Sequence, residues 1–61
     1  MNKDAANAVL LALVGSEGLV ELWWTTPNRA FEGMKPNDVW ELDYQKVLSY
    51  LAWQGYSGGG T

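Results

Sequence analysis

The chain carries seven carboxylates but no histidine and no cysteine, which limits the chemistry it can do. Paired carboxylates act as general acid and base where their surroundings push the two pKa values apart. Glu17 and Glu21 stand at i, i+4, the spacing that puts two side chains on one face of a helix. Glu32, Asp38, Glu41 and Asp43 gather around the middle of the chain. A catalytic pair needs a water-poor cleft, and a chain of 61 residues has little room for one. These acids therefore suit helix caps and a solvated surface. A calcium loop needs oxygen ligands at fixed alternate positions around a glycine; the stretch from Asn37 to Asp43 has the acids without that spacing. The missing histidine removes the commonest general base and transition-metal ligand. The missing cysteine removes disulfides and thiolate metal sites. The expectation is a protein that is not an enzyme, with no catalytic, cofactor or metal site.

Aromatic residues are the stronger lead. Four Trp, three Tyr and one Phe are a large allotment for this length, and stiff amphipathic side chains of this kind dominate protein interfaces. Trp24, Trp53 and Tyr56 fall off the expected core faces, and with Gln54 they are the predicted partner-binding residues. The net charge is −3 and the sequence pI is about 4.4. Lys3, Arg29, Lys35 and Lys46 are scattered, whereas a phosphate-tracking surface needs them clustered, so no nucleic-acid contact is expected.

The elements that position these residues are helical. Asn2 or Asp4 can cap a first helix running to about Val14, which Gly15 stops as a left-handed terminator. Ser16 caps a second helix through Thr25, with Glu17 in the first turn, where the helix dipole favours an acid. Pro27 ends that helix, because proline disfavours helical geometry in the residue before it. Pro27 to Phe31 reads as a tight turn or single helical turn closed by Gly33. Pro36 suits the first position of a short helix to about Leu42, and Asp43 caps a last helix from Tyr44 to Gln54, closed by Gly55. The predicted fold class is all-α, a small bundle of four or five short helices. One helical domain spans residues 1–56, and a flexible Gly-rich tail spans 57–61.

At about 100° per residue, Tyr44, Val47, Leu48 and Leu51 fall on one stripe of the last helix, with Trp53 almost opposite. In the second helix Leu19, Leu22 and Trp23 share a face, and Val20 and Trp24 fall to its flank. The first helix has no polar face beyond Asn7. Its apolar residues point all round it, and a bundle this small covers only some of its sides. Val9, Leu10, Leu13 and Val14 are therefore predicted to mediate self-association into a homo-oligomer. The apolar run from Ala5 to Val14 is ten residues, where a bilayer span needs about 20. Its mixed flanking charges, Lys3 and Asp4, do not suit a signal peptide either. No membrane contact is expected, and with no cysteine and no export signal the expected location is cytoplasmic.

The stretch Trp23-Trp24-Thr25-Thr26-Pro27-Asn28-Arg29-Ala30-Phe31-Glu32-Gly33-Met34-Lys35-Pro36, followed by Val39-Trp40-Glu41-Leu42 and Val47 to Tyr56, resembles the toxin-binding domain of the MbcA/ParS/Xre-type antitoxins. Trp23, Pro27, Asn28, Phe31, Gly33 and Pro36 match the family's opening signature, and Leu42, Val47, Leu51 and Gly55 match its close. The resemblance spans about Leu22 to Tyr56. Glu32 stands where the family commonly has a glycine or small residue, and the segment joining the last two helices is shorter than usual. Family members also carry a helix-turn-helix-like region ahead of this domain. Only about twenty residues precede it here, in keeping with no DNA contact. The resemblance implies a protein that binds and occludes a partner enzyme, typically an NAD-degrading toxin of the RES type, with the segment from Ala52 onward reaching the toxin's active-site entrance. Two other readings stand beside it: a small phage or mobile-element protein that binds a host enzyme, and an orphan structural domain.

Overall fold

The computed structural model describes residues 3–59, with side chains through Gly55. It contains three α-helices and one short 3-10 turn: α1 (Asp4–Val14), α2 (Glu17–Thr25), the turn Arg29–Phe31, and α3 (Pro36–Gly59). The fold is all-α, with three helices in place of the four or five expected. The difference lies at Asp43. Its backbone leaves helical geometry (φ −161°, ψ 86°), yet the helix on either side runs on as one kinked element. The Asp43 carboxylate accepts from the Gln45 backbone N–H at 3.2 Å, so it caps the second arm from within α3. Past Gly55, where a glycine predicts an end, the backbone of α3 continues to Gly59. Of the tail expected at 57–61, residues 60 and 61 lie outside the described residues.

Local chemistry explains most of the remaining boundaries. Gly15 takes the left-handed conformation (φ 91°), and its N–H donates to the Leu11 carbonyl, closing α1. Ser16 is extended and its Oγ accepts from the Leu19 N–H, which opens α2. At the far end of α2, the Thr25 hydroxyl donates to the Glu21 carbonyl and the Thr26 hydroxyl to the Leu22 carbonyl, so side chains satisfy the last turn in place of a glycine cap. Lys3 precedes α1 without a side-chain cap bond, and Asp4 is the first helical residue rather than a cap.

Asn28 organises the turn. Its carbonyl accepts from the N–H groups of Phe31 and Gly33, its side-chain oxygen from Ala30, and its own N–H donates to the Met34 carbonyl. Gly33 (φ 84°) and Glu32 (φ 58°) both stand in the left-handed region that lets the chain reverse. Among the described residues, the isolated bridge between Asn28 and Met34 is the sole β feature. Pro36 then starts α3, where its missing N–H costs nothing, and is itself buried.

The three helices enclose one core, centred on Ala6 and Leu10 of α1, Val20 and Trp24 of α2, Phe31, and Val39, Trp40, Val47 and Leu51 of α3. Tyr44 and Leu48 pack against it, so the predicted stripe of the last helix is the observed one. A chain of ring contacts crosses this core. Tyr50 meets Phe31 at 5.2 Å and Trp23 at 6.3 Å; Trp23 meets Trp24 at 5.1 Å; Trp24 meets Trp40 at 5.5 Å; and Trp40 meets Tyr44 at 5.6 Å. Most are edge-on or tilted, the geometry aromatic quadrupoles favour, and each adds about 0.5–1.5 kcal/mol beyond area burial.

Candidate interaction surfaces

The carboxylates do not converge on a reaction centre. Glu17, Glu21, Glu32, Asp38, Glu41 and Asp43 are all exposed. Among the described residues no polar or charged residue is buried, and no group of three or more metal-ligating side chains comes together. Several large apolar side chains are exposed instead.

Two of the predicted contact residues are core residues. Trp24 is 6% exposed, and its indole Nε1 donates to the Asn7 Oδ1 at 2.7 Å. Asn7, the one polar residue of α1 past its first residue, is thus the partner that draws Trp24 inward. Leu10 is 1% exposed and sits at the centre of the bundle, so it is unavailable for self-association. The face of α2 is accordingly rotated from expectation. Val20 and Trp24 face the core, Trp23 is half-buried, and Leu19 and Leu22 point outward, the latter 58% exposed.

The remaining predicted contact residues differ in exposure. Val9 and Leu13 are exposed on the outer flank of α1, and Val14 is half-buried at its edge. Trp53 is 61% exposed on the second arm of α3. Gln54 beside it is half-buried, its amide donating to the Tyr50 hydroxyl at 3.1 Å. The side chain of Tyr56 lies outside the described residues. Trp23, Pro27, Asn28, Phe31, Gly33 and Pro36 serve the turn and its packing: Trp23 and Phe31 contact each other edge-on at 6.3 Å between ring centroids.

Two features are absent from the sequence-based expectations. One is a groove of about 270 Å³ between the 3-10 turn and the kink in α3, walled by Phe31, Met34, Val39, Leu42 and Tyr50 and rimmed by Glu32, Asp43 and Lys46. Leu42 is 77% exposed at its lip. The only sequence signal for it is the apolar Leu42 immediately before a capping residue. The other is a polar cluster at the start of α1, where the Lys3 ammonium donates to Asn37 Oδ1 and lies over the Trp24 ring. Lys3 and Asn37 are 34 positions apart, and no local pattern links them.

No single helix among the described residues is long and apolar enough to cross a membrane; α1 and α2 approach the required length only as a pair bent by 112°. Comparison with known proteins finds no matching family model, no matching curated protein and no matching solved structure.

Proposed function

We infer that the chain works by binding protein rather than by chemistry. The observation that carries this reading is Trp53, a large amphipathic ring left 61% exposed on a helix whose opposite stripe fills the core. Exposed tryptophans on rigid elements are characteristic anchors of protein contacts. Exposed leucines on all three helices support the same reading.

The partner class comes from the resemblance alone. The ordered match from Trp23 to Gly55 points to an antitoxin-like module that occludes an NAD-degrading enzyme of the RES type. In this reading the chain associates with a second copy through Val9 and Leu13 on α1. That leaves the arm bearing Trp53 and Gln54 for the partner enzyme, with Tyr56 beyond them. A cytoplasmic setting fits the absence of cysteine.

The test is a titration of a purified RES-type enzyme with the chain, following NAD consumption. Wild type is expected to suppress turnover, and Trp53→Ala to weaken suppression roughly tenfold or more, the range of an interface anchor. Undiminished turnover at saturating wild-type protein would remove the toxin reading. Equal potency of Trp53→Ala would remove Trp53 as the anchor.

A further inference from the structure

Lys3 occupies a setting built for a cation. Its Nζ lies 4.3 Å from the centroid of one Trp24 ring and 6.0 Å from that of Trp40. The two indoles stand perpendicular, 89° apart with centroids at 5.5 Å, so they form two walls of a corner. The ammonium donates to Asn37 Oδ1, and Asn7 Oδ1 fixes the Trp24 ring by accepting its Nε1–H at 2.7 Å. Lys3, Trp24 and Asn37 also line a depression of about 710 Å³, whose lining includes Glu21. Two electron-rich ring faces and a neutral oxygen acceptor are together a recognition set for an organic ammonium.

The geometry points to an ammonium-binding site that the chain's own Lys3 fills, and that accepts an external primary ammonium when the Lys3 side chain is absent. The walls belong to the core: Trp24 and Trp40 are buried, and Asn37 sits in the first turn of α3. The site is therefore held by the fold, while its occupant comes from the residue that precedes α1. The inference does not depend on which protein the chain binds.

The experiment is a titration of Lys3→Ala with methylammonium chloride, against sodium chloride at equal ionic strength, read by tryptophan fluorescence and near-UV circular dichroism. A saturable response is expected in the variant, with half-saturation on the order of tens of millimolar for a cation–π site of this kind. It should exceed the sodium response roughly threefold or more and be absent from wild type, where Lys3 holds the site. Lys3→Met, which refills the corner with an uncharged stem, should also give no response. If Lys3→Ala is unfolded, the same titration is read as recovery of helical far-UV signal. Equal responses to methylammonium and sodium, or the same response in wild type and Lys3→Ala, would overturn the proposal.

Discussion

Glu32 is, among the described residues, the non-glycine with a positive φ, at 58°. A left-handed conformation costs an L-residue with a Cβ about 1–2 kcal/mol, while a glycine loses about 0.5–1 kcal/mol of extra chain entropy on folding. Glu32→Gly is therefore expected to raise stability by roughly 0.5–1 kcal/mol, read as a melting temperature higher by a few degrees. The Trp24–Asn7 hydrogen bond gives a second residue-scale test. Trp24→Phe keeps most of the ring packing but strands the Asn7 oxygen in a part-buried position. A loss of about 1–2 kcal/mol in denaturant unfolding is expected. In the Asn7→Ala background the same substitution should cost clearly less, because the bond is already gone.

At the scale of elements, the boundaries that could be read from sequence are those set by bonds spanning a few residues. Gly15 bonds back to Leu11, Ser16 forward to Leu19, Asn28 to Ala30, and Asp43 to Gln45. The break at Asp43 was legible for that reason, although the helix continues through it as a kink. Asp43→Ala removes that cap and is expected to lower stability by about 1 kcal/mol and to lower helical ellipticity, measured by thermal melts followed at 222 nm. What could not be read is rotation. In α2, five of nine residues are apolar, namely Leu19, Val20, Leu22, Trp23 and Trp24, so periodicity leaves more than one face available to the core. The choice is made by tertiary partners: Asn7 takes the Trp24 indole, and Trp40 meets its ring edge-on. The same partners explain why Trp24 is no contact residue and why Leu19 and Leu22 are exposed. In α1 a similar ambiguity resolves Leu10 inward and leaves Val9 and Leu13 outside. The groove beside Leu42 depends on the kink angle and on the position of the 3-10 turn, neither of which is a local property.

For the whole molecule, size decides what the exposed side chains signify. A chain of 61 residues has a stability of about 3–9 kcal/mol at the usual value per residue. Its principal extents are 30, 23 and 21 Å, too small to bury every apolar side chain it carries. Val9, Leu11, Leu13, Leu19, Leu22, Leu42 and Trp53 remain at the surface, and the proposed association would bury some of them. Leu10→Ala, at a core site, is expected to cost about 2–5 kcal/mol and so to test folding rather than association. The association itself is tested at exposed positions, where substitution leaves the fold within about 0.5 kcal/mol. The most direct measurement of the central claim, that these exposed side chains form a protein-contact surface, is molar mass by light scattering across a concentration series reaching high micromolar, for wild type and for Val9→Glu/Leu13→Glu. The expected result is a dimer or larger species for wild type and a monomer with unchanged helical signal for the variant. A wild-type chain that stays monomeric throughout, or a variant that associates as wild type does, would contradict the account.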